Sequence, residues 1–419
     1  MSLESFIWIL WSAWILQGVF CLYNIRAYPR LMRSQIASLN GSESPRQPAA
    51  VIVPIKGVTN LTEAFLEGLL QQDYPEYRIF FCFESDDDPA AQLLREELHL
   101  SRDETRHAPA DGDAASGLEE VLLIAAGHAT DCGQKVFNQI AAMRLIDEND
   151  QLIVFADADM LCSSDWLTRL TGPLNCETHQ LSGAYRWFVP EDDKASTLFA
   201  SVINASVATL GGQNRYHILW GGSMALTRAA YDKLDVPELF TGSLNDDLHL
   251  TRAARRAGMG STYVRSLLIP TPISFTWASF TEFTRRQYFQ IRHYMPKFYV
   301  AAIIGPSLYT IGWFSSAAAG LCGYSAAWIP WIIVNLFIDQ PRAILRMRVV
   351  NTLFDTPHLE RIKKTRLVEH LGTPLWMTVH ALLAISALFM GKVCWAGITY
   401  RVFDRKKVEI LSRADRETV

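Results

Sequence analysis

The stretch Leu152-Ile153-Val154-Phe155-Ala156-Asp157-Ala158-Asp159-Met160 is a short apolar, β-branched run that ends in two carboxylates. Such a run is typical of a buried parallel strand, whose carboxyl end faces a ligand crevice. Side chains two residues apart in an extended segment point the same way, so Asp157 and Asp159 can converge on one divalent cation. Magnesium or manganese held by carboxylates and substrate phosphates is the chemistry that this pattern indicates. The alternative is that one aspartate only caps the next helix.

Strands and helices alternate along the chain that leads to this stretch. Strands are predicted over Ala50–Ile55, Tyr77–Phe83 and Val121–Ile124, and helices over Leu61–Gln71, Pro89–Leu98 and Lys135–Ile146. The segment Ser101–Gly117 is rich in Ala, Asp and Gly and is predicted to be a flexible surface insertion. After Asp159 the pattern is less regular, with a helix over Leu248–Ala257 that Gly258 ends. The alternation predicts an α/β domain over residues 48–277 with a mostly parallel, doubly wound sheet.

The composition excludes several classes of protein. The 419 residues are too many for one ordinary core, and 49% of them are hydrophobic against only 20% charged. A net charge of -4 includes no basic excess, so nucleic acid is not an expected partner. The seven cysteines show neither CxxC pairs nor zinc-ligand spacing, which indicates ordinary core residues in a reducing compartment.

An apolar segment near the N-terminus predicts a membrane anchor over residues 1–34. Phe6–Ile25 is mostly apolar, and three arginines, Arg26, Arg30 and Arg33, follow it. About 20 such residues cross a bilayer, and the arginines place the next domain on the cytoplasmic side. The expectation is an integral membrane protein with a cytoplasmic catalytic domain, in the inner (cell) membrane if the source is bacterial. The alternative is a buried helix of a globular protein.

The C-terminal part predicts further membrane contact. Residues 278–297 form an aromatic and cationic amphipathic segment, expected to lie at the interface. Residues 298–403 contain about three hydrophobic segments, two within Val300–Ile338 and one at Leu375–Ala396, before a polar tail at 404–419. A single last span would put two basic stretches on opposite sides of the membrane. Either that segment is re-entrant, or the span count is off by one, or the orientation rule fails here.

Four aspartates fall at the ends of elements in the α/β domain: Asp88, Asp157, Asp159 and Asp247. Such a set suits nucleotide-sugar transfer. One carboxylate can bind the base or ribose, a carboxylate with a metal ion offsets the diphosphate charge, and another takes a proton from an attacking hydroxyl. Capping is the simpler alternative for Asp88 and for Asp246 or Asp247, and a helix N-terminus also favours an anion.

Two lysines and two aromatic residues complete the candidate site. Lys56 follows the first strand and Lys135 opens a helix, so either can meet phosphate, although a solvated lysine is an equal alternative. His217 and Trp220 precede a glycine turn and are candidates for the acceptor side. A histidine in the core or on the surface is the commoner situation.

Several motifs carry a family resemblance. Pro54-Ile55-Lys56-Gly57, Gln72-Asp73-Tyr74-Pro75-Glu76-Tyr77 and Asp87-Asp88-Pro89-Ala90 resemble, in order and spacing, membrane-bound family-2-type glycosyltransferases. The resemblance is greatest to ceramide glucosyltransferases and their bacterial relatives, and it covers roughly residues 1 to 300. It implies a GT-A-like (Rossmann-like) nucleotide-sugar domain inserted between an N-terminal transmembrane helix and C-terminal transmembrane helices.

The resemblance also implies roles for individual residues. Asp88 would bind the uridine end, Asp157 with Asp159 would handle the metal and diphosphate, and Asp247 would be the catalytic base, with Asp246 beside it. The full set implied for nucleotide-sugar binding is Lys56, Glu84, Asp88, Lys135, Asp157, Arg286, Gln287 and Gln290. The family's (Gln/Arg)-x-x-Arg-Trp motif is altered here, since one register puts Phe289-Gln290 where Arg-Trp would stand and another keeps only Arg292.

The expected function is therefore transfer of a sugar, glucose first, from a UDP-sugar to a lipid hydroxyl. Ceramide is the leading acceptor, a hopanoid or other lipid is next, and manganese or magnesium is the expected cofactor. A processive polysaccharide synthase is a second hypothesis, and the small number of spans and the altered motif count against it. A nucleotide-sugar-binding membrane scaffold without catalysis is a third, supported by the altered motif alone.

Overall fold

The computed structural model describes residues 2–40, 46–108, 117–174, 179–210, 214 and 217–414. The chain divides into two compact units, each built from segments distant in sequence. The sheet unit comprises Gln35–Arg186, His217–Thr271 and Gly391–Val419, and the helical unit comprises Met1–Ser34, Trp187–Tyr216 and Pro272–Met390.

The strands, in chain order, are β1 (Ala49–Pro54), β2 (Tyr77–Phe83), β3 (Arg106–His107), β4 (Leu118–Ala125), β5 (Leu152–Ala156), β6 (Leu181–Pro190), β7 (Ser223–Thr227), β8 (Ser261–Ile273), β9 (Val393–Trp395), β10 (Ile398–Asp404) and β11 (Lys407–Arg413). The first eight form one sheet, in the order β3-β4-β2-β1-β5-β7-β6-β8, and the last three form a second.

The helices are α1 (Leu3–Asn40), α2 (Thr62–Leu70), α3 (Pro89–Glu97), α4 (Gln134–Met143), α5 (Trp166–Thr171), α6 (Ala195–Leu210), α7 (Arg228–Leu234), α8 (Val236–Phe240), α9 (Asp247–Arg256), α10 (Trp277–Tyr294), α11 (Pro296–Leu321), α12 (Trp328–Ile332), α13 (Gln340–Leu353), α14 (Thr356–Lys363), α15 (Arg366–His370) and α16 (Thr373–Ser386). The helices and strands predicted up to β5 are confirmed to within three residues at each end.

The large sheet is mixed. Strands β4, β2, β1 and β5 are parallel neighbours, whereas β7 runs antiparallel to both β5 and β6. The prediction of a mostly parallel sheet therefore holds for the central strands only. Crossover helices allow parallel pairing of the strands that they join. Helices also separate β5, β6 and β7, yet β7 is antiparallel to both of its neighbours, so the alternation alone does not set the direction of a strand.

Both faces of the large sheet are buried. Alternate residues of β1 enter different clusters, with Val51 and Val53 on one face and Ala50 and Ile52 on the other. This is why the strands are continuous hydrophobic runs, as expected of parallel strands covered on two sides. In the predicted insertion, β3 pairs with β4, and residues 109–116 lie outside the described residues.

The helical unit has its own core, which includes Trp11, Trp14, Phe280, Tyr309 and Trp376. Within the described residues, Glu4–Ser38 and Pro296–Leu321 are long and apolar enough to cross a membrane. The predicted interface segment at 278–297 corresponds to α10. After α11, a π-helical stretch, Ile333–Asp339, joins α12 to α13 without a break in the helix.

The last predicted span is a short helix followed by a sheet. Helix α16 has 14 residues, about 21 Å at 1.5 Å per residue, against the roughly 30 Å of a bilayer core. Strands β9 to β11 then form an antiparallel sheet within the sheet unit, and the boundary placed at 403 falls inside β10. Residues 407–413 of the predicted polar tail are thus an ordered strand.

Candidate active site

The carboxyl end of β5 meets the start of α4 and the turn before α9 in the sheet unit. The Lys135 ammonium lies 2.7 Å from Asp157 Oδ1 and 2.9 Å from Asp246 Oδ2. Gln139, one turn further along α4, donates from Nε2 to the same Asp246 oxygen at 2.9 Å. One lysine thus joins two acidic residues that are 89 positions apart in the sequence.

Asp247 is held by the glycine turn that precedes β7. The Gly221 amide donates to Asp247 Oδ2 at 2.9 Å, and the pairing of β5 with β7 places this turn beside Asp157. A Cβ at Gly221 would lie 2.8 Å from Asp246 and 2.9 Å from Lys135, so only glycine fits there without displacement. The turn brings its backbone against the carboxylates.

Neither Asp246 nor Asp247 acts as the side-chain cap proposed as the alternative. Asp246 occupies the N-cap position of α9 but makes no side-chain capping bond. Asn245 Oδ1 instead accepts from the Leu248 amide at 2.8 Å. Because the side chain of Asn245 caps the helix, the carboxylate of Asp246 is directed to Lys135 and Gln139.

The pKa values of Asp157, Asp246 and Asp247 are shifted in different directions. Burial raises the pKa of Asp247 to about 6, with the charge of Asp246 adding to the shift and Lys135 opposing it. Burial also raises the pKa of Asp157, and Asp159 and Asp246 add to this effect against Lys135. For Asp246, burial is outweighed by Lys135 and by hydrogen bonds from Lys135 and Gln139, so its pKa is lowered. Two acids with opposite shifts therefore stand side by side at the start of α9.

Asp159 lies near Arg186, which in turn contacts the aromatic ring of Trp220. Its Oδ2 lies 3.8 Å from an Arg186 nitrogen, and the Arg186 guanidinium lies 5.2 Å from the centre of the Trp220 ring. Trp220 also makes an edge contact with Tyr185. We call the set Lys135, Asp157, Asp159, Arg186, Asp246 and Asp247 the Lys135 cluster.

The residues of the Lys135 cluster fit a divalent ion. Four carboxylates face two cations, an excess of negative charge that an ion such as Mn²⁺ or Mg²⁺ would offset. The described residues hold no group of three or more His, Cys, Asp or Glu side chains able to bind a metal. Asp157 and Asp159 supply the one or two carboxylates with which proteins usually hold Mg²⁺, the other ligands being phosphates and water.

Asp88 has the capping role considered for it. Its Oδ1 accepts from the Ala90 amide at 2.9 Å, which caps α3, and from the Gly57 amide at 2.8 Å. The second bond ties the loop after β1 to the end of β2. The capping prediction is confirmed, and it leaves a binding role open, because an N-terminal carboxylate with two bonds to one oxygen keeps acceptor capacity on the other.

Glu84, at the end of β2, is surrounded by cations. Its Oε1 accepts from an Arg413 nitrogen at 2.5 Å and lies 2.5 Å from His128 Nδ1, and its Oε2 lies 3.3 Å from the Lys56 ammonium. Burial opposes ionisation, but the His128 bond and the charges of Lys56 and Arg413 outweigh it and lower the pKa of Glu84. Lys56 also donates to the Ala396 carbonyl at 2.9 Å.

His217 lies in the core of the sheet unit. Its ring stacks on Tyr263 with centroids 4.8 Å apart, and burial lowers its pKa to about 3, with Arg265 and Arg255 adding to the shift. It is therefore a neutral core residue. Trp220, its partner in the acceptor-side prediction, contacts the Lys135 cluster instead.

Arg286, Gln287 and Gln290 lie on α10, in the helical unit. The Arg286 guanidinium stands 5.5 Å from the Phe283 ring centre, Gln287 is half-buried, and Gln290 is buried. Arg292, the other candidate for the altered motif, donates to the carbonyls of Ala387, Leu388 and Met390 beyond the end of α16.

Sequence reasoning missed several residues of the site: Gln134, Gln139, Arg186 and Arg413. Gln134 and Gln139 could have been found from their place in the helix that Lys135 opens. Nothing local marks Arg186 within a strand or Arg413 in a charged tail, since their partners, Asp159 and Glu84, are distant in sequence.

Residues 45–293 match a family described as "Glycosyltransferase like family 2". Together with the mixed eight-stranded sheet, this confirms the predicted α/β, GT-A-like fold. No curated protein matches the chain.

Among solved structures, a mannosyltransferase from Pyrobaculum calidifontis, PcManGT, in complex with GDP-Man and Mn²⁺, is 13% identical, with 90% of this chain and 99% of that chain covered and a TM-score of 0.42. TarS residues 1–349 from S. aureus is 12% identical, with 88% and 100% covered and a TM-score of 0.36. The same protein in complex with UDP-GlcNAc aligns with a TM-score of 0.37 at 12% identity and the same coverage.

Proposed function

This chain belongs to the glycosyltransferase-like family 2, and on that premise we propose that it transfers a sugar from a UDP-sugar to a hydroxyl of a membrane lipid. Glucose is the first candidate sugar and ceramide the first candidate acceptor. A hopanoid or another polyisoprenoid-like lipid is the second candidate acceptor. The transfer would be a single displacement in the sheet unit, assisted by a divalent ion.

The observation that carries the proposal is the Lys135 cluster. Asp247 is half-buried beside a paired and fully buried Asp246, and its pKa of about 6 is close to neutral pH. A general base works best when its pKa lies near the working pH, because it is then ionised and still basic. Within the Lys135 cluster, Asp247 is partly exposed, so an acceptor can reach it, and its pKa of about 6 suits a general base.

In the proposed reaction, Asp247 accepts the proton of the acceptor hydroxyl. The oxygen attacks the anomeric carbon as the bond to the diphosphate breaks, and one such displacement inverts the anomeric centre. Lys135 lowers the pKa of Asp246 and so keeps it ionised, which leaves Asp247 as the one of these two neighbouring aspartates that takes the proton. Asp157 and Asp159 would hold the divalent ion, which when bound offsets the charge of the leaving nucleotide.

The end of β2 is the proposed site for the nucleoside. Glu84 offers a carboxylate held by cations, and Asp88 fixes the loop after β1 through the Gly57 amide. Lys56 adds a positive charge next to it. Arg286, Gln287 and Gln290 are proposed, from the family resemblance alone, to contact the donor diphosphate.

The lipid acceptor is proposed from the helical unit. Its two long apolar helices are mostly not buried, and large apolar side chains such as Leu16 (68% exposed) and Leu321 (80% exposed) lie on them. Apolar surface of this kind on helices long enough to span is typical of contact with lipid. A soluble acceptor would not require such an anchor.

The test is UDP release by the detergent-purified protein. A panel of UDP-sugars is offered with ceramide, a hopanoid polyol or diacylglycerol, with and without Mn²⁺ or Mg²⁺. Release that depends on one lipid and one sugar, and that is lost in Asp247→Asn, is expected. Release without lipid would contradict the acceptor assignment, and no release with any donor while UDP still binds would contradict the catalytic proposal.

A further inference from the structure

The C-terminal sheet, β9 to β11, lies against the proposed nucleoside site within the sheet unit. Its first turn accepts from Lys56 through the Ala396 carbonyl, and the Tyr400 hydroxyl accepts from the Gln134 amide at 3.2 Å. A third attachment joins Lys406 to Glu238 at 2.7 Å. The C-terminal sheet thus reaches both Lys56, 340 residues before Ala396, and the start of α4, 266 residues before Tyr400.

Arg413, the last residue of β11, connects three parts of the site. One guanidinium nitrogen contacts Glu84 Oε1 at 2.5 Å, and the other donates to the Ala129 carbonyl at 2.7 Å and to Gln134 Oε1 at 3.0 Å. The planar, forked guanidinium suits several acceptors in fixed directions, whereas a lysine is a single point charge. Arg413 thereby fixes the end of β2 relative to α4, the helix that carries Lys135.

The two oxygens of Glu84 have different surroundings. Oε1 is contacted by both Arg413 and His128 at 2.5 Å, whereas Lys56 approaches Oε2 at 3.3 Å. An ionised carboxylate offers about four acceptor positions, two on each oxygen. Oε2 therefore keeps capacity to accept a hydrogen bond from a ring N–H, such as that of uracil.

We propose that Arg413 is a positioning residue for donor binding, which holds Glu84 through Oε1 so that Oε2 accepts from the base of the nucleotide. The inference rests on the proposed function and extends it by making β11 part of the donor site. The base would be one with a ring N–H donor beside its carbonyl groups, as uracil has.

A purely structural role for Arg413 is the competing explanation. The C-terminal sheet is already held by the Lys56 and Lys406 contacts and by buried side chains, Val393, Ile398 and Tyr400 among them. Arg413 itself keeps 27% of its side chain exposed. Its removal is therefore expected to change donor affinity and not the folding of the sheet.

The experiment compares UDP binding by the full-length wild type, Arg413→Ala, Arg413→Lys and Arg401→Ala, by calorimetry. Arg401 is the matched control, since it pairs with Glu409 on the exposed part of the same sheet at 3.1 Å. Arg413→Ala is expected to weaken UDP binding about tenfold or more, as the loss of charged hydrogen bonds does. The UDP affinity of Arg413→Lys should lie between those of the wild type and Arg413→Ala. Arg401→Ala should bind UDP like the wild type.

Three further readouts separate a positioning role from a folding role. The KM for the donor should rise in Arg413→Ala while kcat at saturating donor stays within about threefold, since Arg413 does not touch the reacting atoms. In a Glu84→Ala background, Arg413→Ala should have little further effect, because coupled residues are not additive. The preference for UDP over CDP should fall with either substitution, because cytosine has no N–H at the ring position where uracil donates.

Each possible result either supports or contradicts the proposed role of Arg413. Equal UDP affinity in Arg413→Ala, equal losses in Arg401→Ala, or additive losses with Glu84→Ala would overturn the role of Arg413 while leaving the transferase proposal intact. If Arg413→Ala does not fold, Arg413→Lys against Arg401→Lys gives the same comparison. A wild type that binds no UDP would overturn the proposed function and this inference together.

Discussion

Each unit contains a cluster of charged residues, and the two clusters differ in charge balance and in burial. In the Lys135 cluster, four carboxylates face one lysine and one arginine. In the helical unit, Asp339 pairs with Arg342 at 3.0 Å, and Arg346 pairs with Glu369. We call these last four residues the Arg346 cluster. It is neutral, and the Tyr309 hydroxyl completes it by donating to Asp339 at 2.6 Å.

The difference in balance indicates different roles. A balanced buried network satisfies its own charges, and breaking it exposes the full cost of an unpaired ion. A cluster with excess carboxylates is suited to take up a proton or a cation, and in the Lys135 cluster the pKa values of Asp157 and Asp247 are raised. Substitutions in the Lys135 cluster should therefore affect turnover, and substitutions in the Arg346 cluster should affect stability.

The largest effect is expected for Asp247→Asn, which removes the proposed base but keeps its shape. We expect kcat to fall by about 10³-fold, within the range usual for loss of a general base, with UDP binding retained. UDP-release kinetics and calorimetry measure the two quantities. Asp232→Asn, which affects an exposed pair with Arg228 on α7, is the control. A fall in UDP affinity equal to the fall in turnover would contradict the assignment of Asp247 as the base.

Arg346→Ala tests the balanced cluster. It leaves Glu369 buried without its cation, so the free energy of unfolding should fall by about 3 kcal/mol. Thermal unfolding in detergent measures this, and the folded fraction should keep the wild-type donor KM. Replacing both partners, Arg346→Met with Glu369→Leu, should restore most of the stability. Arg361→Ala, which affects an exposed pair with Glu191, is the surface control, and an equal loss there would contradict the prediction.

Gly221→Ala introduces a methyl group 2.8 Å from Asp246 and 2.9 Å from Lys135. One of them must move, at a cost of about 1 to 3 kcal/mol, which corresponds to a roughly ten- to hundredfold loss of kcat/KM. Gly391→Ala is the matched control, because a Cβ there would meet no described atom within 4 Å. Equal activity of the two variants would show that the turn does not constrain the Lys135 cluster.

The pH dependence of turnover should follow Asp247. Since its pKa is raised to about 6, the ionised base predominates above this pH and is lost below it. The kcat/KM for the acceptor, from initial rates at low acceptor concentration, should rise about tenfold from pH 5 to pH 7 and then level off. Asp246 and Lys135 face the same group, so Gly221→Ala, which displaces them, should shift the midpoint. A rate that is flat from pH 5 to pH 7 would contradict a base with this pKa.

A good part of the fold could be predicted from local sequence. The run before Asp157, the hydrophobic periods of α2 and α4 and the Asp88-Pro89 cap are each contained within a few residues, so neighbouring side chains decide them. The two long apolar helices follow from composition in the same way. The last apolar segment contains the end of helix α16 and then strand β9, because an apolar stretch does not by itself show where a helix ends.

The acidic residues of the candidate site could be predicted from the sequence, but their arrangement in space could not. The sequence by itself determined that carboxylates follow β2 and β5 and stand at the start of α9, because strand ends and helix caps are local features. Only the tertiary structure decided that Lys135 joins Asp157 to Asp246, that Asn245 takes over capping at α9, and that Arg413 reaches Glu84. These contacts join residues far apart in the chain, and their geometry depends on the packing of whole elements, which no local pattern contains.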